Sequence, residues 1–167
     1  MITQSTELRN AAARDAAAIA AIYNHYVLNT SVTFEEEQVN EAQMTERIAE
    51  VQQAGFPWLV LLEQGEVLGY AYASPWRLRS AYRFSAESTV YLKADLSGRG
   101  YGSQLYMALL ARLKELGFRT VMGGITLPNR QSVQLHEKCG FAKVAHFSQV
   151  GYKFGQWLDV GYWQKLL

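Results

Sequence analysis

The stretch from residue 86 to residue 125 constrains the fold more tightly than any other part of the chain. Residues 86–92, Ala-Glu-Ser-Thr-Val-Tyr-Leu, read as a strand because β-branched and aromatic side chains dominate their second half. Three glycines then alternate over five positions in Ser97-Gly98-Arg99-Gly100-Tyr101-Gly102-Ser103. Leu105, Leu109, Leu113 and Leu116 follow, placing one apolar stripe on a helix from about residue 100 to 116. Gly117 stands where a helix takes its left-handed stop, and 120–125 is a second strand. A strand, a helix and a strand in such close succession are most simply joined by a right-handed crossover, which makes the two strands parallel.

The flanking segments complete a mixed α/β pattern. Residues 8–12 read as a short strand, after which Asp15 is placed to cap a helix whose Ile19, Ile22, Tyr23, Tyr26 and Val27 share one face. Residues 32–39 lack periodicity and predict a loop, and a helix from about Asn40 aligns Met44, Ile48 and Val51 before Gly55 stops it. Runs 58–63 and 67–73 around Gln64-Gly65-Glu66 predict a hairpin, and 74–84 is irregular. A short helix over 131–139 ending at Gly140, a strand over 143–150, a turn region over 151–155 and a strand over 157–163 finish the chain. The 167 residues are expected to form one domain, 1–167, with no internal repeat.

Charge and cysteine content narrow the function classes. Sixteen Lys and Arg against fifteen Asp and Glu leave a net charge of +1, so no global field recruits nucleic acid or an anionic membrane, and a small-molecule site suits the balance. Cys139 is the only cysteine, which rules out an internal disulfide and a multi-thiolate metal site within one chain and points to the reducing cytoplasm. The N-terminus shows no basic segment followed by an apolar one, and the longest apolar run, 16–23, is far below the roughly 18 residues of a membrane span. A soluble protein is expected.

The glycine loop is the first candidate site. Glycine allows close backbone approach to an anion, successive N–H groups can point inward, the helix N-terminus adds partial positive charge and Arg99 a full one. A flexible turn carrying a solvated arginine is the plainer alternative. Ser103 stands where a G-x-G-x-x-G beginning at Gly98 needs its third glycine, and no P-loop pattern occurs, so dinucleotide and P-loop readings fall away.

A second segment, Asn129-Arg130-Gln131-Ser132-Val133-Gln134-Leu135-His136-Glu137-Lys138-Cys139-Gly140-Phe141, supplies a resemblance. With Ser97–Gly102 it resembles the GNAT acyl-CoA N-acyltransferase superfamily: Ser97 takes the Gln/Arg slot of the glycine loop, and His136 the tyrosine slot of the later motif. From residue 74 to 166 the chain is similar to the phosphinothricin and methionine sulfoximine acetyltransferases. Pro75-Trp76, Arg79, Ala81-Tyr82, 86–91, Leu127-Pro128-Asn129, His136-Glu137, 151–155 and 157–164 carry that likeness.

The resemblance implies the GNAT fold, a mixed central sheet with splayed parallel strands flanked by helices, and acetyl-CoA as co-substrate with no metal. It implies that Glu87 is the general base and that His136 lies near the sulfur as acid, base or water-orienting group. Backbone groups of Val90, Tyr91 and Leu92 would hold the pantetheine arm, and Ser97, Gly98, Arg99, Gly100, Tyr101, Gly102 and Ser103 the pyrophosphate. Asn129 and Ser132 would touch the cofactor farther along. Arg77, Arg79 and Tyr82 would recognise a small zwitterionic amino acid, with Phe34, Pro75, Trp76, Glu87 and Thr89 completing its pocket.

Without the resemblance, Glu87 reads as an exposed strand-end carboxylate and the arginines as surface cations packed on rings. His25 and His146 read as packing or surface residues, Glu35-Glu36-Glu37 as a solvated face, and Cys139 as lacking the partner an acyl-cysteine route needs. A homodimer using the aromatic stretch 152–163 is expected, and neither nucleic acid nor membrane is an expected partner. The competing readings are an N-acetyltransferase for another small amine and, from another class, an acyl-CoA-binding or sensing module that performs no transfer.

Overall fold

A computed structural model describes residues 5–167; residues 1–4, the start of the expected 1–167 domain and of its N-terminal segment, lie outside the described residues. Among the described residues seven strands form one sheet: β1 (Thr6–Asn10), β2 (Trp58–Glu63), β3 (Glu66–Pro75), β4 (Ser85–Leu92), β5 (Thr120–Leu127), β6 (Ala142–Lys153) and β7 (Gln156–Leu166). Their order is β1-β2-β3-β4-β5-β7-β6, antiparallel except for the parallel pair β4·β5. Helices α1 (Ala16–Asn29) and α2 (Glu41–Gln53) cover the front face, and α3 (Tyr101–Glu115) and α4 (Arg130–Lys138) the back.

Strand β2 shows why both faces need cover. Its side chains alternate, so Trp58, Val60 and Leu62 enter the front core while Leu59 and Leu61 enter the back, and the strand reads as an unbroken apolar run. On the back, Leu105, Leu109 and Leu113 of α3 are fully buried, whereas Leu116 lies past the helix end and is half exposed. Removing one of those three buried leucines to alanine would cost about 2–5 kcal/mol.

The expected parallel crossover is present, and its strands part almost at once. Pairing of β4 with β5 is confined to Ser85↔Thr120, Ala86↔Val121 and Glu87↔Met122. Beyond Glu87 the two strands diverge, leaving a V between the β1–β4 arm and the β5–β7–β6 arm.

Two expectations are corrected. Asp15 does not cap α1 with its side chain: its carboxylate turns back to accept from the Arg9 guanidinium at 2.7 and 2.9 Å and from Ala12 N at 2.8 Å, because a charged donor outcompetes the helix amides. The turn region at 151–155 shrinks to Phe154 and Gly155, both at positive φ, and Gly151 belongs to β6.

Candidate active site

The free edge of β4 can be read from its register. Lys93 N donates to Leu68 O and Trp76 N to Ser85 O, so odd-numbered residues direct their backbone groups toward β3 and even-numbered ones toward the V. Val90 therefore offers N–H and C=O to the gap, and Leu92 does so with its carbonyl already taken by Tyr26 OH at 2.5 Å. Tyr91 is different: its backbone faces β3, and its ring joins Tyr23, Tyr26 and Tyr70 in the front core.

At the top of the V the glycine loop leads into α3. Gly98 and Gly100 have φ of +81° and +86°, and the position of a Cβ at either is open space. Gly100 is the N-cap of α3 and among the described residues no side chain caps that helix, which leaves its first-turn N–H groups for an outside acceptor. Ser97 and Arg99 are exposed beside them, and Ser103 lies in the first turn. Tyr101 sends its hydroxyl to Glu63 at 3.1 Å, and Gly102 is buried against Leu135 and Leu92, so both present only backbone. Open backbone, free helix amides and an exposed cation fit a pyrophosphate.

At the apex the glycine pair Gly123-Gly124 in β5 makes room on both faces. On the front, a Cβ at Gly124 would lie 3.5 Å from Glu87 Oε1 and 3.1 Å from the Tyr162 ring. On the back, a Cβ at Gly123 would collide with His136 Nε2 and lie 3.2 Å from Tyr106 OH. Glu87 and His136 therefore flank the sheet from opposite sides and meet only through the gap.

Burial sets the protonation preference of each. It pushes the half-buried Glu87 carboxyl up from its ordinary value, with Arg77 opposing, and it pushes buried His136 down toward the neutral form. His136 Nδ1 lies 2.7 Å from Ser132 O, a pure acceptor, so Nδ1 carries the hydrogen and Nε2 keeps its lone pair. Asn129 Oδ1 accepts from Ser132 N at 3.1 Å, capping α4 and fixing the turn that holds the imidazole. Asn129 and Ser132 are thus already engaged in placing His136.

Other side chains at the apex carry no signal that sequence reasoning had singled out. Ser88 Oγ donates to Met122 O at 3.2 Å and meets Tyr106 OH at 2.6 Å, pinning β4 to β5 just above their last paired residues. The clue was Gly123-Gly124 inside a strand, where glycine signals a close approach.

The acceptor-loop residues are only partly assembled. The Trp76 ring meets Tyr162 edge-on at 5.2 Å, and the Arg77 guanidinium stacks 4.0 Å over Trp76. Thr89 lies on the face of Glu87, two residues along β4, and Pro75 ends β3. Arg79 and Tyr82 stand exposed, the first just before and the second at the end of a single 3-10 turn (Ser80–Tyr82), and among the described residues no hydrogen bond ties either side chain to Glu87 or Trp76. Phe34 lies on Gly151, where its ring occupies the place of a Cβ. Glu35 is not a purely solvated charge: it receives both Arg47 nitrogens, at 2.8 and 3.2 Å. Cys139 is buried on the back face, and burial pushes its thiol up and away from the thiolate.

The family model described as an acetyltransferase (GNAT) domain matches residues 8–161. The chain is 41% identical to phosphinothricin N-acetyltransferase of Streptomyces viridochromogenes, over 95% of this chain and 86% of the relative. It is 36% identical to L-methionine sulfoximine/L-methionine sulfone acetyltransferase of Salmonella typhimurium, over 94% of this chain and 92% of the relative. Among solved structures, a GNAT superfamily phosphinothricin acetyltransferase from Sinorhizobium meliloti in complex with AcCoA superposes with a TM-score of 0.93 at 39% identity, covering 97% of this chain and 88% of that one.

Proposed function

The chain belongs to the GNAT acetyltransferase family and is an acetyl-CoA-dependent N-acetyltransferase; from that premise we propose that it acetylates the α-amine of a small amino acid of the phosphinothricin, methionine sulfoximine or methionine sulfone type. The observation that carries this reading is Glu87, a half-buried carboxylate at the apex of the V with Tyr162 beside it and the Trp76–Arg77 pair against Tyr162. A base there serves an amine approaching from the front, and Arg77 offers a cation to the acceptor's acidic group.

The 97–103 cradle and the Val90–Leu92 edge would hold acetyl-CoA with its thioester in the gap. Bound there, it supplies an activated acyl carbon and a thiolate leaving group. Glu87 takes the ammonium proton on the front face, its raised pKa bringing it closer to that of the amine. His136 Nε2, with a free lone pair, orders a water or takes the second proton that the amine sheds as the amide forms, and that proton passes to the departing thiolate. The buried, protonated Cys139 supports direct transfer in a ternary complex over an acyl-cysteine route.

In this reading 1–167 acts as one catalytic domain in the cytoplasm. Among the described residues no helix is long and apolar enough to cross a membrane. A homodimer would cover the half-exposed Tyr152, Phe154 and Trp157 of the β6–β7 hairpin, and sedimentation at micromolar concentration, showing only monomer, would refute it.

The function is tested by acetyl-CoA-dependent thiol release with phosphinothricin, methionine sulfoximine, methionine sulfone, ordinary amino acids and polyamines. Selective turnover of the first three is expected. Acetyl-CoA binding with no acetylation of any amine would instead identify a non-catalytic acyl-CoA module.

A further inference from the structure

Lys153 is 2% exposed at the end of β6, on the strand farthest from β1, and no carboxylate meets its ammonium among the described residues. Its Nζ donates instead to three carbonyls: Val27 O at 2.8 Å, Thr33 O at 2.9 Å and Glu35 O at 2.8 Å. Val27 belongs to the last turn of α1, where carbonyls lack helical partners and the dipole favours a cation, and the other two lie in the 30–40 segment that follows. An ammonium with three donors and three acceptors is fully satisfied there, which is what permits its burial.

These bonds join the two arms that the V separates. The 30–40 segment leaves α1 on the front of the β3–β4 arm and is held there by Tyr23 OH to Thr33 Oγ1 at 2.8 Å and by paired Asn24–Val39 bonds, each 2.8 Å. Its other anchorage is on the β5–β7–β6 arm, where Lys153 grips its carbonyls and the Phe34 ring seats on Gly151. Gly151 pairs with Leu158, which shares the front face of β7 with Tyr162 four residues away, a distance of roughly 13 Å along the strand. The segment is thus a strap tied to both arms on the front of the sheet, the face that also carries Glu87 and Tyr162.

We propose that Lys153 is a positioning residue for acetyl transfer: by clamping the 30–40 strap to β6 it sets Phe34 as the far wall of the acceptor chamber and so governs acceptor affinity and size selection, leaving the acyl-donor cradle untouched. The inference rests on the acceptor site being the front-face chamber over Glu87. The donor groups, at 90–103, belong to the opposite side of the gap and to other elements.

The test compares full-length wild type with Lys153→Met, which keeps the stem and removes the donors, and Gly151→Ala, which displaces Phe34 without touching the lysine. Because Lys153→Met risks misfolding, the second variant keeps the inference exposed to refutation. Both are expected to raise acceptor KM roughly tenfold or more and to lower discrimination against bulkier amino acids, with acetyl-CoA KM within about twofold of wild type. An active wild type whose folded variants keep acceptor KM, or lose acetyl-CoA KM in parallel, overturns the clamp alone. A wild type that acetylates no amino acid overturns the proposed function, and the clamp with it.

Discussion

On the proposed acyl-donor side of the V the groups open to a ligand are mainly backbone: the first-turn amides of α3, the open glycines at 98 and 100, and the free edge of β4 at Val90. On the proposed acceptor side they are side chains from four separate segments, Phe34, Trp76 with Arg77, Glu87 and Tyr162, with Lys153 buried behind the strap. The contrast follows from what each side must do. A pyrophosphate and an amide-bearing arm are met by repeated N–H and C=O groups at a splayed strand and a helix start, whereas selection among small amino acids needs shaped walls and placed charges. A site made of backbone tolerates side-chain change, and a site made of long-range contacts does not.

The largest expected effect that probes this division is at Glu87. Glu87→Gln should lower kcat/KM for the acceptor by about 10²–10⁴, the range for a lost general base, while acetyl-CoA binding measured by calorimetry stays as in wild type. Weakened acetyl-CoA binding in that variant would break the separation of the two sides.

The glycine pair sharpens the comparison on a single strand. Gly123→Ala drives a methyl into His136 and toward Tyr106, an overpacking cost of about 1–3 kcal/mol by denaturant melt, and should depress kcat. Gly124→Ala meets the Tyr162 ring at 3.1 Å on the other face and should act on acceptor KM. Equal kinetic defects from both would contradict the two-faced arrangement. On the donor side, Gly100→Ala places a side chain at φ +86°, a strain of about 1 kcal/mol, and should raise acetyl-CoA KM severalfold with acceptor KM unchanged.

The pH profile follows from the same two groups. In the proposed reaction Glu87 acts as a carboxylate, and burial raises its pKa above 4.5, so kcat/KM should fall as pH drops through that raised value, and Glu87→Gln should erase the limb. Burial lowers His136 below 6.5, so its charging also falls on the acid side and contributes no alkaline limb. The smallest kinetic effect is expected far from the V. Asp15→Asn should cost about 2 kcal/mol of stability with kinetics unchanged, because it breaks a buried charge-assisted pair. The Arg9 guanidinium holds Asp15 below its ordinary 3.8, so that stabilisation is complete above 3.8 and disappears as pH falls through the lower folded value, which an acid-denaturation curve of wild type and variant would reveal.

Much of this arrangement was legible in the sequence where the cause is local. The 86–125 succession gave the parallel pair and the helix between, and the turn at Gln64-Gly65 appeared where expected with both residues at positive φ. The chain's likeness to a known family carried Glu87 and His136, which composition alone left as surface and packing residues. The strap was not legible, because Lys153 and Val27 are 126 positions apart and nothing near Lys153 marks it as buried. Gly151 looked like a turn residue, since glycine's reason there is the Phe34 ring from another segment. Asp15 was misread as a cap because its competing partner, Arg9, lies on the preceding strand.

The most direct test of the central claim, that donor and acceptor meet through the gap from opposite faces of the sheet, is a crystal structure with coenzyme A and methionine sulfone bound together. The predicted result places the acceptor amine on the front within hydrogen-bond reach of Glu87, directly or through one water, and the sulfur in the gap on the side of His136 Nε2. Both ligands on one face, or an acceptor on the α3–α4 side, would contradict it.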